Sequence, residues 1–384
     1  MHSSNPGNDG SGYFLYHSIG QYPGKIADMR QATDAFVEMW GRLDDAQWPM
    51  VLPLRQLFIE GWQHLINASE GTLTTADNVT TAFYSLIGAL PAQHLRGKRV
   101  LIAQDCFPSL HFMLAGIAER FGFTLDTVPL RQGARWVEDD DMIAAWGPDV
   151  GLALLTWVTS TASHRCDIDR LVAHARAQGS LVGVDITQGV GLLPFDVMAP
   201  AVDFTLSTSL KWLCGTSGAG ILHVAQPLLQ RCEPELRGWF SQPNPFSWDL
   251  DAFSYAPDSR RFDHGTPTVL ALAASLPALE WNLAQDRAAM VAQNRALTAR
   301  IVEIADEMAL PLASPRDEGS RGGSLMIGCE SADAAARIVD RLRENAVFAD
   351  ARGAVLRLSP GVCTTHAGVD RLGETLGNCV AHGS

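Results

Sequence analysis

Residues 181–224 read LVGVDITQGVGLLPFDVMAPAVDFTLSTSLKWLCGTSGAGILHV, and this stretch decides the fold. Apolar and β-branched runs at 180–186, 203–207 and 220–224 have the length of single strands, and they lack the polar alternation of a half-exposed sheet. Asp185 ends the first run. Lys211 follows the second, 26 residues later, and a glycine-rich turn, CGTSGAG at 214–220, leads into the third. The interval holds a strand, a helical crossover and a second strand, so the acid and the lysine emerge at one edge of a parallel sheet. Ligands of such sheets bind at the strand ends.

Working outward, similar runs at 99–104, 123–130 and 151–158 alternate with amphipathic, helix-like stretches. The pattern predicts an α/β fold whose mainly parallel sheet is covered on both faces. Helical periodicity at 26–41 and 53–67 places Trp40, Phe58 and Trp62 among the core anchors. The Ala- and Leu-rich region 268–304 predicts a long bridging helix after Pro277. Beyond Leu310, strand-like 324–328, a helix over 332–344 and strand-like 354–358 predict a small α+β domain. The expected division is an N-terminal segment 1–50, a large domain 51–275 and a small domain 276–384. A chain of 384 residues suits two cores with a cleft between them.

Composition narrows the partners. Hydrophobic residues make up 47% and charged residues 18%, which supports a large core. A formal net charge of −13 offers no general attraction to nucleic acid or to anionic lipid. No apolar run is long and clean enough to span a bilayer. Seven cysteines lie scattered with no C-x-x-C pair, which fits reduced thiols in a cytoplasm. Residues 1–12 are polar and show no export signal. Cys363 and His366 alone are too few ligands for a structural metal, so none is expected.

An acid and a lysine at one sheet edge suit a pyridine cofactor. The carboxylate keeps the ring nitrogen protonated, and the amine forms a Schiff base at the other end. In these residues the segment resembles the pyridoxal 5'-phosphate (PLP) enzymes of fold type I in the class V aminotransferase group, which includes kynureninases and cysteine desulfurases. The resemblance implies a PLP-dependent transferase fold of the seven-stranded type. By the same resemblance Asp185 pairs with the pyridine nitrogen, Gln188 contacts the ring hydroxyl, and Lys211 carries the cofactor.

Further motifs follow in family order. NVTT at 78–81 resembles the turn that cradles the cofactor phosphate at a helix N-terminus, with Thr80 and Thr81 as candidates. DCFPS at 105–109 resembles the kynureninase segment whose aromatic ring stacks on the pyridine, a role that falls to Phe107 with Ser109 beside it. GWF at 238–240 and RFDHGTP at 261–267 resemble substrate-side elements of that branch, which implies roles for Trp239 and His264. In relatives the threonine matching Thr266 reaches the phosphate of a neighbouring subunit, which implies a homodimer with active sites at the interface. VLRLSP at 355–360 resembles the strand whose arginine binds the substrate α-carboxylate, here Arg357. HSIGQYP at 17–23 resembles an N-terminal loop at the substrate mouth, with His17 where kynureninases have asparagine.

The expected substrate is therefore an L-amino acid, and three reactions compete. A persulfide-forming desulfurase needs a loop cysteine before the arginine strand, but residues 348–354 read FADARGA. A true kynureninase, hydrolysing kynurenine to alanine and anthranilate, is favoured by the motifs. Against it, Leu210, Gln188 and Leu110 stand where that branch has tyrosine, histidine and aspartate. Transamination or β-cleavage needs only Lys211, Asp185 and Arg357, and is the preferred reading. A PLP-fold scaffold without catalysis is the non-enzymatic alternative.

Overall fold

A computed structural model describes residues 9–381. The predicted N-terminal stretch 1–12 falls partly, and the chain end 382–384 wholly, outside the described residues. Seven strands form the main sheet: β1 (Leu73–Ala76), β2 (Arg99–Ala103), β3 (Thr124–Val128), β4 (Val150–Thr156), β5 (Leu181–Asp185), β6 (Phe204–Thr208) and β7 (Gly220–Val224). Their order across the sheet is β1-β7-β6-β5-β4-β2-β3, and all run parallel except β7, which is antiparallel to both neighbours.

Strands β2, β4, β5 and β7 are buried on both faces, so they read as largely apolar runs. Alternate side chains enter opposite cores. Leu101, Leu155, Val182, Val184 and Ile221 meet Phe58, Trp62, Leu171 and Leu272 on one face. Val100, Leu154, Phe204, Leu206 and Leu222 meet Phe83, Leu86, Leu110 and Leu114 on the other. Gly183 lets β5 and β6 pack closely: a Cβ there would lie 2.0 Å from the Phe204 ring.

Three strands, β8 (Leu325–Gly328), β9 (Asp350–Arg352) and β10 (Val355–Leu358), form a small antiparallel sheet in the order β8-β10-β9. Its own core joins Leu325, Ile327, Leu356 and Leu358 to Leu297, Ile301 and Leu372. Phe14 is buried in the same core, because the N-terminal segment bridges to Phe348 through Tyr13 and to Ser359 through Leu15. That segment then crosses to the main sheet, where the Gly20 N–H donates to Leu210 O at 2.9 Å.

Several expectations need correction. The link between β5 and β6 is a series of turns, not a helical crossover, because PFDVMAP carries two prolines that interrupt helical hydrogen bonding. The helix expected at 53–67 begins at Gln47 and takes Pro53 into its second turn. The predicted bridging helix is two helices, Leu270–Leu283 and Arg287–Glu307. Asp286 starts the second by accepting from the Ala289 N–H. Phe58 and Trp62 are fully buried, whereas Trp40 is 46% exposed and packs on Phe36 and Trp48 near the surface. Strands β1 and β9 and the helix His366–Ala381 complete the architecture and were not anticipated.

Candidate active site

The strand directions converge on one edge. β4 ends at Thr156, β5 at Asp185 and β6 at Thr208, while β1 ends and β7 begins at the same level, since Ala76 and Thr208 both pair with Gly220. Residues just beyond these ends line a cavity of about 480 Å³. Lys211, Asp185, Gln188, Thr80, Phe107, Ser109, His17 and Arg357 all border it.

The chain has three lysines. Lys25 donates to Gly20 O at 2.7 Å and Lys98 to Pro148 O at 3.3 Å, whereas Lys211 faces the cavity with its Nζ 5.3 Å from the centre of the Phe107 ring. Burial pulls the Lys211 amine down to about 8, against the opposing pull of Asp185 and with Arg357 adding to the fall. A base that is uncharged just above neutrality is what amine chemistry requires. In the cofactor-free protein, acetylation of Lys211 by acetic anhydride, followed by mass spectrometry, is expected to show a midpoint near pH 8. A midpoint above pH 10 would contradict this environment.

Asp185 borders the same cavity, and burial raises its carboxyl while hydrogen bonding to Thr187 and the nearby Lys211 lower it. One of its oxygens accepts from the Thr187 N–H at 3.0 Å. A buried carboxylate needs a cationic or donor partner. The hydroxyl of Thr156, which borders the cavity, is buried without a hydrogen-bond partner. This orphaned hydroxyl, the buried Asp185 carboxyl, the exposed Phe107 ring and the Lys211 amine fit a planar, polar-edged ring with a basic nitrogen.

At the opposite end, Asn78 caps the helix Val79–Ile87 by accepting from the Thr81 N–H at 3.0 Å. Val79 and Thr80 border the cavity there, at a helix N-terminus that favours an anion. Thr81 stands apart. Its hydroxyl donates to Asn78 O, and its side chain borders a neighbouring cavity of about 240 Å³ with His264 and Thr266. That cavity shares Asp77 and Gly218 with the first. His264 lies 3.3 Å through Nε2 from Ser85 Oγ, and Thr266 is exposed. Trp239 borders neither cavity and packs its ring edge-on against Phe240 and Phe246.

On the small-sheet side, Arg357 is buried, with Nε 2.8 Å from Asp350 Oδ1 and Nη2 on Asp350 Oδ2. His17 is held between Ser359 Oγ at 2.6 Å and Asp350 Oδ1 at 2.9 Å, and burial keeps it below its ordinary pKa. Gln188 donates to His17 O at 3.1 Å and lies 3.3 Å from Ser160 Oγ. Leu210 borders the cavity, and Leu110 is wholly buried in the core. Asp350, Thr156, Thr187 and Ser160 escaped the sequence reading. Asp350 had a signal: Gly353, with φ +54, makes a two-residue hairpin turn that sets residue 350 opposite Arg357.

Fold and site together define a PLP enzyme of fold type I. The chain belongs to the class V aminotransferase family, whose members are PLP-dependent: the family model "Aminotransferase class-V" matches residues 60–372. It is 30% identical to a kynureninase of Deinococcus radiodurans over 267 residues, 68% of this chain and 62% of that relative's length. The chain therefore spans less than two thirds of that relative. It is 27% identical to an isopenicillin N epimerase of Streptomyces clavuligerus over 85% of this chain and 86% of the relative. Among solved structures, the cystine C–S lyase C-DES in complex with cysteine persulfide superposes with a TM-score of 0.85 at 20% identity, covering 98% of each chain. The apo cysteine desulfurase of Thermococcus onnurineus NA1 gives 0.84 at 16% identity, over 96% of this chain and 94% of the other. These two likenesses bear on the fold.

Proposed function

We propose that the protein is a PLP-dependent enzyme that transforms an L-amino acid at its α-carbon, with transamination or β-cleavage as the outcome. The observation that carries this reading is the placement of Asp185, Lys211 and Arg357 around one cavity. Bound PLP supplies an electron sink for the bond broken at the α-carbon. Lys211 holds the cofactor and then carries a proton to and from the substrate, for which an amine near 8 is suited. Asp185 holds a proton on the ring nitrogen. Phe107 would offer its ring to the cofactor's pyridine, and the helix N-terminus at Asn78 to Thr80 would hold the phosphate. Arg357 binds the substrate carboxylate.

Kynurenine hydrolysis remains a second reading because of the kynureninase relatives. Against it, Leu210 beside the lysine puts an apolar group where that chemistry uses a tyrosine, and Gln188 is bound to His17 O. We further propose a cytoplasmic homodimer. The exposure of Thr266, set outside the cavity of Lys211, supports its service to a second subunit.

The test is the absorbance of the PLP-loaded protein with single L-amino acids, kynurenine included, without a keto-acid acceptor, followed by product identification. Conversion to pyridoxamine phosphate with one keto acid per site identifies an aminotransferase, and repeated turnover identifies cleavage. Alanine with anthranilate from kynurenine would replace both readings by the second. No spectral change with any amino acid would overturn an enzymatic role.

A further inference from the structure

The substrate end of the cavity contains a carboxylate that the sequence motifs did not assign. Asp350 and Arg357 are cross-strand partners on β9 and β10, and they form a two-point ion pair in which Arg357 is buried and Asp350 only partly so. Asp350 also receives His17 Nε2, and His17 in turn meets Ser359, whose hydroxyl lies 2.6 Å from Ser324 Oγ. Burial pushes the Asp350 carboxyl up, but the hydrogen bonds and charges of His17 and Arg357 outweigh it and hold the group ionised well below the usual range. The row Ser359, His17, Asp350 has the members of a nucleophilic triad. It is not one, because Ser359 is fully buried and bonded on both sides.

What Asp350 does follows from counting donors. A guanidinium has five N–H groups. Asp350 takes the Nε–Nη2 edge, and Ser160 O lies 3.3 Å from Nη1. One N–H on Nη1 and one on Nη2 are left to bind a second carboxylate. Arg357 borders the cavity, whereas Asp350 is not among its lining residues. Arg352 reaches the same carboxylate at only 3.7 Å and is exposed at the mouth, so it does not share in this fixing.

We propose that Asp350 is a positioning residue for substrate binding: it locks the Nε–Nη2 edge of Arg357 and the ring of His17, and so leaves the remaining guanidinium N–H groups for the substrate carboxylate. The inference rests on the reading of Arg357 as the carboxylate anchor. It also assigns His17 a role as a strut between the N-terminal segment and the anchor strand, in place of direct substrate contact.

The test uses two ligands of the PLP-loaded protein: 2-aminoisobutyrate, which bears a carboxylate but no α-hydrogen, and isopropylamine, which lacks the carboxylate. Binding is followed by the change in cofactor absorbance. Asp350→Asn is expected to weaken 2-aminoisobutyrate roughly tenfold or more, to leave isopropylamine unchanged, and to be partly rescued in Asp350→Glu. Unchanged isopropylamine binding also shows that the variant is folded. If Asp350→Asn leaves 2-aminoisobutyrate unaltered while Arg357→Ala weakens it, the positioning role fails and the anchor reading stands. Tighter binding in Asp350→Asn would make Asp350 a competitor of the substrate and would overturn the inference. If Arg357→Ala itself has no effect, the anchor reading fails with it.

Discussion

Lys211→Ala is expected to lower turnover by at least about 10⁴-fold, because the proposed function gives one side chain both the hold on the cofactor and the proton transfer. The loss has a structural control. Lys211 lines the cavity, so Ala enlarges a space that is already there, and the variant should unfold at nearly the wild-type temperature without cofactor. Added methylamine should restore part of the proton transfer but not the covalent attachment. Turnover at the wild-type level in Lys211→Ala, with PLP present, would falsify the assignment of this lysine.

The second large effect is expected at Asp185, and here activity and stability move in opposite directions. The buried carboxyl is raised mainly by desolvation. A carboxyl whose folded pKa lies above its unfolded value favours the folded state at low pH, and this contribution is lost as pH rises through the folded value. At neutral pH the ionised group therefore costs the cofactor-free protein stability. Asp185→Asn removes that cost while keeping the shape, so the cofactor-free variant should melt at a higher temperature than the wild type. Turnover of the loaded variant should fall by about 10²–10³-fold, the scale for removing one preorganised charge at a reacting group. A variant that is both less stable without cofactor and fully active would show that Asp185 is a structural carboxylate.

Much of this was legible because the signals were local. Apolar strands bounded by turns gave six of the seven main strands to within two residues at most ends, and the helix Ala332–Glu344 was placed at its observed bounds. Asp185 and Lys211 were legible as a pair because a parallel sheet fixes where strand ends meet. β1 was missed since four residues, LTTA, carry too little pattern to register as a strand. The helix break at Ala284–Asp286 was missed because Ala-rich sequence favours helix on both sides and only the Asp286 cap marks the interruption.

The site was less legible where function depends on distant partners. Arg357 was read as an anchor from its strand, but its occupied edge depends on Asp350, His17 and Ser160, which arrive from three separate segments. Thr81 looked equivalent to Thr80 in NVTT. The Asn78 cap separates them, turning Thr80 to the cofactor-sized cavity and Thr81 to its neighbour.

The most direct test of the central claim is to incubate the protein with PLP, reduce it with borohydride, and map the phosphopyridoxyl group by peptide mass spectrometry. With only Lys25, Lys98 and Lys211 in the chain, the assignment is unambiguous. The account predicts one group per chain, on Lys211. A group on Lys25 or Lys98 alone, or none at all, would contradict it.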